Sequence, residues 1–182
     1  WGAQFEQKSY ATSYIKTTSN ISSTRSAETC NSAGNASTFN SEEGILFLEV
    51  AALANDSTYR MISVSDGGIT NRITFFYQNS SNQFAFEGGG GLGVYNLSIT
   101  QTNYNKIALS YKQNNCKVYL NGNLVGTDTS YTGLSAGIIT QLNFDRGDGG
   151  FDFYGKCKDL RYYDTEGMTD TEINNLLTQL TQ

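Results

Sequence analysis

The stretch Lys117-Val118-Tyr119-Leu120-Asn121-Gly122-Asn123-Leu124-Val125-Gly126-Thr127 reads as two strands folded back on each other. Asn-Gly between alternating apolar residues signals a type I′ turn, which needs positive φ at both central positions. Cys116, Val118 and Leu120 fall on one face of the first strand, Lys117 and Tyr119 on the other. Val125 returns to the Val118/Leu120 face if the register is allowed to shift by one residue. The hairpin therefore has one buried side and one that meets water or a second layer.

Working outward, Lys106 to Lys112 places Ile107, Leu109 and Tyr111 inward and leads straight into the hairpin. Gly44 to Ala54 is apolar on both faces through Ile45, Leu46, Phe47, Leu48 and Val50, as expected of a central strand covered on two sides. Thr58 to Val64 alternates and ends at Asp66-Gly67-Gly68. Arg72 to Gln78, carrying Ile73, Phe75 and Tyr77 on one face, forms a second hairpin with Gln83 to Glu87. Tyr95, Leu97 and Ile99 recur at period two after the run Gly88 to Gly91, which lacks the Lys and following helix of a phosphate loop. Ile138 to Phe144 alternates again, and Phe151 to Tyr154 with Gly155 to Tyr163 completes the strands.

The period then changes. Thr169 and Glu172 form a capping box, and Ile173, Leu176, Leu177 and Leu180 fall on one helical face, which predicts an amphipathic helix over about 169–180 packed on the strands. Roughly a dozen strands with one helix predict an all-β fold, a two-sheet antiparallel jelly-roll sandwich closed by a short C-terminal helix. The 182 residues are expected to form a single domain, with residues 1–17 as a leading segment continuing from an upstream domain. Residues 18–41, rich in Ser, Thr, Asn and Ala, are the least structured in pattern.

Composition removes several functions. Net charge is −5 and the twelve basic residues are scattered, which argues against nucleic acid as a partner. No apolar run is long enough to insert into a membrane. The absence of His excludes a Ser-His-Asp triad, a Cys-His pair and a His-based zinc site. Nineteen Gly and no Pro mean that turns are built from Gly, Asn, Asp and Ser. Cys30, Cys116 and Cys157 read either as three small buried hydrophobes or as a Cys30–Cys157 disulfide with Cys116 left over.

The segment Gly155-Lys156-Cys157-Lys158-Asp159-Leu160-Arg161-Tyr162-Tyr163-Asp164, followed by Met168-Thr169-Asp170-Thr171-Glu172-Ile173, resembles the closing signature of concanavalin-A-like, laminin-G-like jelly-roll domains. The Asn121-Gly122 hairpin and Asn105 to Tyr111 are similar to that family's strands, and the resemblance spans about residues 44–177. A second resemblance lies in Trp1-Gly2-Ala3-Gln4-Phe5-Glu6 and Tyr10-Ala11-Thr12-Ser13-Tyr14-Ile15, which look like a segment of phage structural proteins, with Lys16 where Pro is usual. Together these imply a domain of a virion surface or tail-fibre protein, located on the virion surface or extracellularly. Its implied partner is a cell-surface glycan or a neighbouring virion protein, and self-association into a homo-oligomer fits the same setting.

The family also hosts glucanases with paired Glu residues in Glu-x-Asp-x-x-Glu, a pattern missing here, so no catalytic residue is assigned and no enzyme activity is expected. The richest binding loop is Asp145-Arg146-Gly147-Asp148-Gly149-Gly150-Phe151-Asp152. Asp145, Asp148 and Asp152 are the candidates for a calcium ion, which takes oxygen ligands. Tyr77, Asn79, Asn143, Asp145, Arg146, Asp148 and Phe151 are the candidates for sugar contact, since sugar recognition needs an exposed aromatic beside polar groups; Tyr95, Tyr111 and Tyr119 are further aromatics to place. The expected function is non-catalytic glycan recognition, against a purely structural virion domain or, more remotely, a glycoside hydrolase.

Overall fold

The computed structural model describes residues 32–78, 82–96 and 99–182. The leading segment 1–17, Cys30 and Asn79 lie outside the described residues, as do the side chains of Tyr95 and Asn96. Ten strands and one helix follow in order: β1 Glu43–Ala52, β2 Arg60–Ser65, β3 Arg72–Tyr77, β4 Phe84–Gly88, β5 Gly93–Asn96, β6 Asn105–Lys112, β7 Cys116–Leu120, β8 Asn123–Asp128, β9 Gln141–Asn143, β10 Gly155–Tyr163 and α1 Asp170–Thr181. They form two antiparallel five-stranded sheets, β10-β1-β6-β7-β8 and β5-β4-β3-β2-β9. We call these the first and second sheets.

The founding hairpin is the β7–β8 pair. Asn121 (φ 45°) and Gly122 (φ 86°) both occupy the left-handed region that the turn requires. Tyr119 faces Leu124 while Val118 faces Gly126, so Val125 is an extra residue that bulges from β8. The bulge lets Val125 turn back to pack against the core, and leaves Leu124 outside.

Period-two alternation decides the layers. Leu46, Leu48, Ile107, Leu109 and Val118 of the first sheet meet Ile62, Val64, Ile73, Phe75 and Phe86 of the second in one buried core. β1 is central, paired to β10 and β6, and its other face carries Ile45 and Phe47. These are buried with Ala108 and Tyr119 beneath Ile173 and Leu177 of α1, so the helix forms a third layer on the outside of the first sheet. Its start is fixed by Thr169, whose hydroxyl accepts the Glu172 amide while the Glu172 carboxylate accepts the Thr169 amide.

At the rim the sheets are tied together by Asp128, which accepts the Gly93 amide at 3.1 Å as well as the Ser130 amide and hydroxyl. Burial pushes this carboxyl up, but the bonds from Gly93 and Ser130 outweigh it and hold it below its ordinary value. Arg60 ties the opposite end: its guanidinium meets both Asp56 oxygens at 2.9 Å and also donates to the Thr58 and Tyr154 carbonyls.

Three local expectations are corrected. The strand expected over 138–144 contains only Gln141–Asn143, and Ile139 rather than Ile138 is the fully buried residue before it. Phe151 to Tyr154 is not a strand, because Phe151 sits at φ 58° and breaks the extended chain. Finally, Cys116 is buried but Cys157 stands exposed on β10, so the three cysteines are not three core residues.

Candidate functional site

The loop from Asp145 to Tyr154 joins β9 to β10 and is braced from within. Asp145 is buried and its carboxylate accepts the Gly147 amide, an Asx turn. Gly147, at φ 110°, lies against Ser65 and the Gly68 carbonyl; an added Cβ would come within 2.8 Å of that oxygen. Asn143, also buried, donates to the Gly147 carbonyl and accepts the Ser32 amide. The Arg146 amide closes the turn on the Gly150 carbonyl at 2.7 Å, and the Phe151 carbonyl accepts the Met61 amide of β2.

On this frame the loop displays a compact polar-aromatic group. Arg146 grips Asp148 with two nitrogens, Nε at 3.0 Å and Nη2 at 2.6 Å. The Arg146 guanidinium holds the Asp148 carboxyl down at about 2. The same guanidinium lies 4.9 Å from the centre of the Phe151 ring, whose other neighbour is Tyr59 at 5.4 Å. Phe151 is 44% exposed and Tyr154, whose hydroxyl donates to Asp152, is 54% exposed. A large side chain held in the left-handed region is strained backbone, and such strain gathers where a loop must present a side chain.

Of the residues expected to touch ligand, Arg146, Asp148 and Phe151 come together at the surface. Asn143 and Asp145 lie beneath them and shape the loop. Tyr77 does not belong to the site: it is fully buried, stacks on Phe153 and donates its hydroxyl to the Val50 carbonyl. Tyr111 is likewise in the core and Tyr119 lies under α1. The calcium set does not converge either. Asp145 turns inward to Gly147, Asp148 onto Arg146 and Asp152 onto Tyr154, and no group of three acidic, Cys or His side chains among the described residues is placed to hold a metal. Several glutamates are tied to local partners as well: Glu87 holds Arg72, Glu43 holds Lys112, and Glu172 caps α1.

Sequence pattern missed the neighbouring strip on the outer face of the second sheet. Ser63 and Thr74 are direct cross-strand partners, and Ser65 faces Arg72 one step along. Arg72 donates to Glu87 at 2.5 Å and to the Ile69 carbonyl, yet its Nε has no partner; neither do the buried Ser63 and Thr74 hydroxyls. The alternation of Arg72 and Thr74 against Ile73 and Phe75 was the available signal, since it puts polar groups outward on a strand with a fully apolar inner face. At the other end of the first sheet, Glu42, Glu43, Lys112, Gln113 and residues 132–135 line an open cleft of about 510 Å³.

Residues 46–174 match the family model Laminin_G_3, of the concanavalin A-like lectin/glucanases superfamily. The chain belongs to this superfamily. Among solved members of the fold, the CBM40 domain of a Ruminococcus gnavus IT-sialidase bound to α2,6-sialyllactose superposes with a TM-score of 0.60 at 16% identity, over 78% of this chain and 84% of that one. The fourth domain of a GH43 extracellular arabinanase from Geobacillus stearothermophilus, in complex with arabinotriose, gives 0.59 at 15% identity over 82% and 70%. Trypanosoma rangeli sialidase gives 0.55 at 13% identity, covering 76% of this chain but only 23% of the sialidase. At these identities the likeness is one of fold. No curated protein sequence matches the chain significantly.

Proposed function

We propose that this domain is a non-catalytic glycan-binding module, and that it sits on the surface or fibre of a phage-type particle. The observation that carries the glycan reading is the Asp145–Tyr154 loop, where Phe151 and Tyr154 are open beside a bidentate Arg146–Asp148 pair. Aromatic faces pack on the C–H face of a sugar, while charged and amide groups bond its hydroxyls. Sugar-bound domains among the structural neighbours support the same reading. The phage setting draws its support from the sequence of residues 1–15.

A glycan array tests the module directly. Wild-type domain is expected to bind a defined glycan set, and Phe151→Ala to lose at least about tenfold in affinity, in line with an aromatic anchor. Leu124→Ala, exposed on the first sheet, serves as a control expected to change nothing. An array without hits, or Phe151→Ala binding as well as wild type, would refute the assignment and leave a purely structural role.

A further inference from the structure

We infer that the saccharide recognised by this domain is uncharged, in contrast to the sialyllactose held by its R. gnavus structural neighbour. This rests on the glycan-binding reading of the Asp145–Tyr154 loop and names the class of sugar that the loop takes.

Carboxylated sugars are recognised best by a free guanidinium fork, two parallel N–H groups aimed at one carboxylate. Each described arginine on the second-sheet side is already paired with a carboxylate. Arg60 holds both oxygens of Asp56, Arg72 holds Glu87, and Arg146 holds Asp148 through two nitrogens. No lysine compensates: the described lysines lie on β6, β7 and β10 of the first sheet. Within residues 53–96 and 141–154 the arginines face Asp56, Asp66, Glu87, Asp145, Asp148 and Asp152, so an acidic sugar approaches a field of its own sign.

What is left over is neutral hydrogen-bonding capacity. The Ser63 and Thr74 hydroxyls and the single Arg72 Nε–H are buried without partners on one face of neighbouring strands. Hydroxyls both donate and accept, as sugar hydroxyls do, and a lone N–H suits a ring or hydroxyl oxygen better than a carboxylate. Gly147 rests on Ser65 at the edge of this strip, which places the strip beside the loop that carries Phe151.

Matched probes separate the two claims. The intact domain is titrated with lactose-terminated and sialyllactose-terminated glycans, and with neutral and uronate-bearing oligosaccharides of equal length, at low and high salt. The neutral members are expected to bind at least about tenfold tighter than their carboxylated partners, with the gap narrowing as salt rises. Asp148→Asn, a change at the surface, frees the Arg146 fork and is expected to raise affinity for the sialylated probe by about tenfold. Equal or tighter binding of the carboxylated member by wild type overturns the inference, as does an Asp148→Asn domain with an unchanged preference. Failure to bind any probe of either set overturns instead the glycan-binding reading, and this inference falls with it.

Discussion

Phe151 carries a backbone cost that glycine would not, since φ 58° brings its Cβ against the chain. Phe151→Gly is therefore expected to keep folded stability within about 1 kcal/mol, strain relief offsetting lost ring contacts, while abolishing glycan binding; thermal melts read beside calorimetric titration check both halves. Asp148 governs the pH range. Its folded value of about 2 lies below that of an unfolded aspartate, so its contribution is present above the unfolded value and is lost as pH falls through about 2. Glycan affinity should accordingly stay flat from about pH 7 to about pH 5, and calorimetry across that range would expose a drop. Burial pushes the Cys116 thiol up to about 12, so iodoacetamide at mildly alkaline pH should leave Cys116 unmodified until denaturant is added, as peptide mass mapping would show. At this scale the sequence was least legible. Asp145, Asp148 and Asp152 have the composition of a cation site, but composition does not say that one carboxylate turns inward, one folds onto the arginine two residues back and one takes a tyrosine hydroxyl. Tyr77 misled for a related reason: alternation puts an aromatic on a face, and only the second layer decides whether that face is wet.

Elements were far easier to read, because periodicity is fixed by backbone geometry before tertiary contacts act. The Asn121-Gly122 turn, the doubly covered β1 and the capped α1 all stand where the pattern put them. The short β9 and the irregular 151–154 did not, since there the chain leaves the ladder to build the loop. α1 has low intrinsic apolarity outside its leucine stripe and depends on its cap and its contacts with Phe47 and Tyr119. Thr169→Ala should cost about 1 kcal/mol, the usual value of an N-cap, and Leu177→Ala, fully buried, about 2–5 kcal/mol. Urea unfolding measures both. A smaller loss for Leu177→Ala than for Thr169→Ala would mean that the helix does not anchor the first sheet.

The whole molecule divides its two outer faces between different tasks. α1 seals the first sheet with apolar contacts, whereas the outside of the second sheet carries the unpaired hydroxyls, the Arg72–Glu87 pair and the loop that lies against Ser65. The extra residue at Val125 has a consequence for the molecule as a whole. β8 is the last described strand of its sheet, and an even row of backbone amides there would be a template on which another chain could grow. The bulge breaks that row in the middle and twists what remains, so this edge is a poor template for a passing strand. Deleting Val125 would restore a regular ladder, with Leu124 still opposite Tyr119 and Gly126 opposite Val118. Such a protein should scatter light and bind thioflavin on mild heating while the wild type stays monodisperse; a deletion variant that remains soluble would show that β8 is protected by something else. One residue too many in β8 is thus expected to keep this edge from adding a neighbouring strand.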